Sequence, residues 1–270
     1  MNTALTERQQ REFDYHREHA NKNRQVLDTP FSWNVLHDPH VRWWNAYWSM
    51  YACLIKCDVQ GKRVLVVGCG FGEDALRLAK LGACVSAFDL SPESLRIAKA
   101  LAEREGLQIA FDEMPSEKLL YEDSSFDLIL ARDILHHVDI PLTMREITRV
   151  AKPNAVFVMN EIYSHSITNK IRNSRLVENV IYPRMRRLIY GSDKPYITED
   201  ERKLSELDIK EILLPLHSIN SKKYFNFLVT RIFPDRFILL NKADRMLLCV
   251  LKPLGRFLAG RVLFTARIAK

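Results

Sequence analysis

Apolar and polar positions change rhythm several times along the chain. Residues 1–29 are polar, with scattered Glu, Arg, His and Gln, and read as helical. An aromatic-rich stretch follows from Phe31 to Tyr51, carrying Trp33, Trp43, Trp44 and Trp48. Within it Asp38-Pro39 combines a capping acid with a first-turn proline and predicts a helix over 39–56. The rhythm then shortens. Arg63-Val64-Leu65-Val66-Val67 is a brief β-branched run, the mark of a buried strand. Glycines follow, then a helix over 73–81 closed by Gly82. A second strand is predicted at 84–88, and Ser91-Pro92 starts a helix that stops at Gly106. Further strands are expected at 109–112, 126–131 and 155–160, with a helix over 141–152.

Strand and helix thus alternate for about 100 residues. That alternation predicts an α/β fold with a doubly wound, mostly parallel, Rossmann-like sheet. After Glu161 it stops. Residues 163–208 are rich in Arg, Asn, Ser and Tyr and read as a helical insertion after strand five, either a lid or a dimer contact. Thr198-Glu199-Asp200-Glu201 has the acidic first turn of a helix start. Residues 261–269 alternate weakly and read as a final strand. Four units are expected: a helical cap at 1–60, an α/β core at 61–162, the insertion at 163–208 and a segment at 209–270 that completes a seven-stranded sheet.

Composition changes this picture in two places. Net charge is +7, but residues 1–162 hold 19 Lys and Arg against 23 Asp and Glu, a balance of −4. Residues 163–270 hold 21 against 10, a balance of +11. The basicity therefore belongs to the C-terminal part, where it marks either a solvated face or contact with something acidic. The five cysteines form no CxxC and no Cys/His pair, so reduced thiols and a cytoplasmic location are expected and no metal is. The start of the chain is polar and lacks the pattern of a secretory signal. The longest uncharged stretch, Trp43 to Ile55, has 13 residues, against about 20 for a membrane span.

The most informative motif is Val64-Leu65-Val66-Val67-Gly68-Cys69-Gly70-Phe71-Gly72. Three glycines at alternate positions follow a buried strand and open a helix, so a ligand can lie against backbone amides. A dinucleotide fingerprint needs glycine at position 73, which is Glu73. Asp89 ends the next strand, 21 residues after Gly68. It either caps the following helix or accepts hydrogen bonds from a ribose diol, and its spacing from the glycine loop favours the ribose.

Together VLVVGCGFG, AFDLSPESLRIAKA, SFDLILARDILHHV and REITRVAKPNAVFV resemble the class I S-adenosylmethionine-dependent methyltransferases, in particular their small-molecule, type 11-like branch. The resemblance covers 61–162. It implies that Gly68, Cys69, Gly70 and Gly72 wrap the methionine part of S-adenosylmethionine, that Asp89 holds its ribose and that Leu90 packs on the adenine. Ser116 and Glu117 stand where the family contacts the adenine amino group, although Pro115 replaces the usual acid. Val66 stands where the family has an acid before the glycines, and Glu73 or Asp74 is expected to compensate. Ala131 lies where backbone receives the cofactor's amino group. Asn154 replaces a glycine in a turn that needs left-handed backbone.

Candidates for the chemistry cluster at the carboxyl ends of the strands. His136 and His137 follow the fourth strand, and either is a candidate base. Glu161 ends the fifth and is expected to orient or deprotonate the acceptor. Tyr15, Trp44, Tyr163, His165 and Arg184 are candidate acceptor contacts, and His19 accompanies Tyr15 in an N-terminal lid. No Asn/Asp-Pro-Pro-Tyr/Phe segment is present, so nucleic acid is not the expected partner. The expected activity is methyl transfer to an O, N or C atom of a small, lipid-like or anionic molecule, with S-adenosylhomocysteine as product. An RNA-directed methyltransferase and a non-catalytic S-adenosylmethionine-binding regulator are the alternatives. Apolar runs at 237–240 and 246–251, flanked by Lys242, Arg245, Lys252, Arg256 and Arg261, read either as core or as a peripheral membrane contact.

Overall fold

A computed structural model describes residues 5–181, 183–184, 202–229 and 236–270. Seven strands form one sheet in the order β3-β2-β1-β4-β5-β7-β6. They are β1 (Arg63–Val67), β2 (Cys84–Asp89), β3 (Ile109–Glu113), β4 (Phe126–Arg132), β5 (Ala151–Ile162), β6 (Leu216–Phe225) and β7 (Arg261–Ile268). β1 to β5 run parallel, and β7 pairs antiparallel with both β5 and β6. The mostly parallel, doubly wound α/β architecture expected from the alternation is present.

The sheet is covered on both faces, which is why β1 reads as an unbroken apolar run. Leu65 and Val67 point into one core with Phe88, Ile129, Phe157 and Phe264. Val64 and Val66 point into the other with Val85, Leu128, Leu130 and Val158. The helices that cover the sheet follow from local signals. α1 (Glu7–Lys22) starts at a Thr6 capping box, and α2 (Glu73–Lys80) opens from Gly72 in left-handed geometry. α3 (Pro92–Arg104) starts at Ser91 and α4 (Ile140–Val150) at Asp139, each with a first-turn proline. α5 (Ser166–Arg172) lies within the expected insertion, α6 (Glu206–Leu213) runs across its expected end at 208, and α7 (Ile238–Val250) follows β6.

Two expectations need adjustment. The predicted helix over 39–56 breaks into short turns, Pro39–Trp44, Trp48–Met50 and Tyr51–Leu54, because Asn45 ends the first in extended backbone. The seventh strand expected within 209–270 was not located from the sequence; it is β6, whose residues alternate only partly and are interrupted by Lys222 and Lys223. The helix start at 198–201 lies outside the described residues. α6 begins after Ser205, which caps it reciprocally with Asp208. Asn154 has φ 60°, the left-handed backbone its turn requires. All five cysteines are free thiols. No helix among the described residues is long and apolar enough to cross a membrane.

α1 lies across the carboxyl edge of the sheet. Ala20 packs with Leu76, Ile97, Leu101 and Ala102, so the lid helix is fastened to α2 and α3 by buried aliphatic contact. Each such fully buried larger side chain contributes about 1.5–3 kcal/mol.

Candidate functional site

Strand order reverses between β1 and β4, and open α/β sheets bind ligands beyond that point. A cavity of about 640 Å³ lies there, roofed by Gln9, Glu12, Tyr15, His16 and His19 of α1.

One end is formed by the glycine loop and the tips of β2 and β3. Gly68 and Gly70 line it, with φ 59° and 52°. A Cβ on Gly68 would fall 2.5 Å from the Ile134 side chain. Nothing would meet a Cβ on Gly70 within 4 Å, so that backbone faces open space. Asp89 is clamped in the wall: Gly70 N–H donates to its Oδ2 at 2.8 Å and Ser91 N–H to its Oδ1 at 2.9 Å. Each carboxylate oxygen keeps a second lone pair, which suits a vicinal diol. Phe88, Leu90, Met114 and Pro115 add an apolar wall with Ser116 and Glu117 beside them. Glu117 also ties the lid down, accepting from Gln9 Nε2 and from Asp139 N–H, each at 3.1 Å. Burial pushes the Cys69 thiol well above its usual range, and nearby Asp89 adds to this, which favours the neutral thiol over the thiolate.

The other end is polar and histidine-rich. Glu161 is fully buried, yet its carboxylate is satisfied. Ile134 N–H and Leu135 N–H both donate to Oε1 at 2.7 Å, and His136 Nδ1 lies 2.7 Å from Oε2. That carboxylate fixes the turn after β4 and the imidazole at the cavity wall. His137 Nδ1 lies 3.0 Å from Glu12 Oε2, and His16 Nε2 lies 3.5 Å from the same oxygen. Burial pushes the Glu12 carboxyl up, but the two imidazoles outweigh it and hold the group down at about 2. Two cations complete this end. Arg132 Nε pairs with Asp74 at 2.6 Å, and Arg261 Nη2 pairs with Asp133 at 2.7 Å beneath the Tyr47 ring.

The structure brings Tyr15, Gly68, Cys69, Gly70, Asp89, Leu90, Ser116, Glu117, His136 and His137 to one cavity. Glu161 stands behind His136. Other expected site residues are placed elsewhere. Gly72 is outside the wall; a Cβ there would meet Ala98 at 2.8 Å, so its smallness serves the approach of α2 to α3. Ala131 is buried inside β4, and its neighbours Arg132, Asp133 and Ile134 reach the cavity instead. Trp44 is half-buried away from it, and Tyr47 alone of the aromatic block lines it. Trp48 and Phe31 pack on the guanidinium of buried Arg77. Tyr163 is a core residue whose hydroxyl donates to Arg256 O at 2.9 Å. His165 caps α5, accepting from Ile167 N–H at 3.2 Å. Arg184 is exposed and distinct from the cavity wall; Arg186 and Arg187 lie outside the described residues. Of the two acids just past the loop, Glu73 lines the cavity, while Asp74 is held by Arg132 and the Tyr51 hydroxyl.

Sequence reasoning passed over Glu12, Tyr47, Arg132 and Arg261. A signal existed for two of them. Glu12 and His16 sit one helical turn apart in an otherwise polar helix, and Arg261 opens an apolar strand where a charge is unexpected.

Residues 58–207 match a family model described as a methyltransferase domain. A ubiquinone biosynthesis O-methyltransferase from Methylocella silvestris is 41% identical over 80 residues, 30% of this chain and 31% of that protein. A demethylmenaquinone methyltransferase from Tropheryma whipplei is 31% identical over 167 residues, 61% of this chain and 69% of that protein. The chain spans 31% to 46% of the length of the first curated relatives it matches. In fold it is similar to a magnesium protoporphyrin IX methyltransferase from Synechocystis PCC 6803, solved with bound SAH. The match covers 97% of this chain and 100% of that one at 15% identity, with a TM-score of 0.59.

Proposed function

The chain belongs to the methyltransferase-domain family, and from that premise we propose that it transfers a methyl group from S-adenosylmethionine to a small molecule. The observation that carries this reading is the shared cavity. Its glycine and Asp89 end suits a ribose-bearing cofactor, and its other end presents a carboxylate-backed imidazole. A Cβ-sized clearance at Gly70, the amides of the loop and the doubly anchored Asp89 fit that cofactor. When bound, S-adenosylmethionine supplies a methyl group already activated on its sulfonium.

What remains for the protein is to position an acceptor and take up a proton. His136 is the proton acceptor in this reading. Glu161 is its positioning residue: with Nδ1–H directed at Oε2, the accepting nitrogen is Nε2. Arg132 and Arg261, each already neutralised by an aspartate, give the acceptor end a polar floor without a net positive charge. A neutral or phenolic oxygen acceptor fits that floor better than a strongly anionic one.

A lipid-like acceptor is favoured by α7 and the turn before it. Phe237, Leu239, Met246 and Val250 are 45%, 80%, 60% and 79% exposed, beside Lys242, Lys252 and Arg256. Such a face suits peripheral contact with an anionic membrane. The regulator alternative needs a closed acceptor end, whereas this cavity continues past the cofactor wall to His136 and His137.

Calorimetric titration tests the reading. One equivalent of S-adenosylhomocysteine binds and NAD does not; saturable NAD binding without S-adenosylhomocysteine binding would overturn it.

A further inference from the structure

Glu12 and His16 lie one turn apart on α1 and so present their side chains to the same side of the helix. His137 reaches them from the turn after β4, across 121 residues of sequence. Their donor atoms all lie within 4.8 Å of one another. Glu12 is only 5% exposed, yet neither of its oxygens receives a hydrogen bond of proper direction among the described residues, and His137 Nδ1 makes none. His137 is 3.0 Å from the carboxylate but off the line a hydrogen bond requires. A buried carboxylate of this kind is costly unless paired and hydrogen-bonded, or bound to a metal.

A second group of candidate ligands lies nearby, Asp133, His136 and Glu161. Two of its members are engaged: Glu161 accepts two backbone N–H bonds and holds His136. Asp133 is ion-paired with Arg261 at 2.7 Å, although its Oδ1 receives no hydrogen bond of proper direction. An ion there would have to break the Glu161 bonds and displace the Arg261 guanidinium. At Glu12 it would complete an unsatisfied network.

We propose that Glu12, His16 and His137 form a divalent transition-metal site in the lid of the cavity, with Zn²⁺ the fitting ion. Two imidazoles and one carboxylate are the donor set of an open zinc site, in which a fourth position is left for an exogenous oxygen. All three residues line the cavity, so that position faces the acceptor end. The ion would also cross-link α1 to the turn after β4 and hold the lid shut. A hydroxyl bound to such an ion is more acidic. That role in activating an acceptor rests on the methyl-transfer reading; the site itself does not.

The test uses the full chain, stripped with a chelator and free of cofactor and acceptor. Zn²⁺ is titrated against a chromophoric chelator, and Co²⁺ binding is followed by its visible absorption. Wild type takes up one equivalent of either ion, with the intense bands of tetrahedral Co²⁺. His16→Ala and Glu12→Gln each weaken binding by about 100-fold or more, since even outer-shell changes cost 10–100-fold. Asp133→Asn binds as wild type does. Circular dichroism checks folding, and His137→Asn gives the same reading if His16→Ala does not fold. No stoichiometric ion in wild type, wild-type affinity in folded His16→Ala and Glu12→Gln, or loss only in Asp133→Asn would overturn the site. S-adenosylhomocysteine binding without Zn²⁺ uptake refutes the site alone; Zn²⁺ uptake without S-adenosylhomocysteine binding refutes the cofactor reading alone.

Discussion

At one end of the cavity, Gly68, Cys69, Gly70, Asp89 and Leu90 come from a single strand–helix–strand stretch of 23 residues. At the other, Glu12, Tyr47, His136 and Arg261 come from four segments spread over nearly the whole chain. The first end is held by backbone: loop amides, left-handed glycines and a carboxylate clamped by two N–H groups. The second is held by side chains acting on one another, through the Glu161–His136, Glu12–His137, Arg261–Asp133 and Arg132–Asp74 pairs. A backbone-built site tolerates little change in geometry. A site built from side-chain pairs can change its chemistry residue by residue while the sheet stays intact. The two ends should therefore fail differently when perturbed.

The largest effect is expected at the backbone-built end. Gly68→Val places a β-branched side chain at φ 59° and drives its Cβ into Ile134. Left-handed strain and overpacking together cost about 2–6 kcal/mol. Thermal melts should show a lower Tm and loss of the stabilising shift caused by S-adenosylhomocysteine. A variant with wild-type Tm and a wild-type ligand shift would break the comparison.

At the side-chain end, His136→Ala should lower kcat by about 100-fold, with cofactor affinity within about threefold of wild type. Glu161→Gln should lower kcat less, about tenfold, because the imidazole remains but loses its charged partner. Equal cofactor weakening in both would show that the two ends are not separable.

This contrast also explains what the sequence revealed. The glycine loop, Asp89 and the parallel sheet were legible because each rests on neighbours in sequence: a β-branched run, a turn chemistry, a fixed spacing. Glu12 and Arg261 were not, since their partners, His137 and Asp133, lie more than 120 residues away in each case. Trp44 and Tyr163 drew attention as aromatic and polar residues near the right elements. Yet Tyr163 is consumed by the core, and Trp44 is half-buried outside the cavity. β6 escaped notice because it is an edge strand, where lysines belong and clean alternation is not required.

The smallest effect is expected outside the cavity. Leu239→Ser with Val250→Ser alters two side chains that are 80% and 79% exposed. Stability should change by no more than about 0.5 kcal/mol per site. Sedimentation with vesicles containing phosphatidylglycerol should fall several-fold, while binding to neutral vesicles stays low in both proteins. Unchanged sedimentation would remove the membrane-facing role of α7.

The division of the cavity is tested most directly by calorimetric titration of S-adenosylhomocysteine into wild type, Asp89→Ala and His136→Ala. Asp89→Ala removes the anchored carboxylate and should weaken binding by about 2–4 kcal/mol, roughly 30- to 1,000-fold. His136→Ala should bind within about threefold of wild type. Equal affinity in wild type and Asp89→Ala would contradict the account.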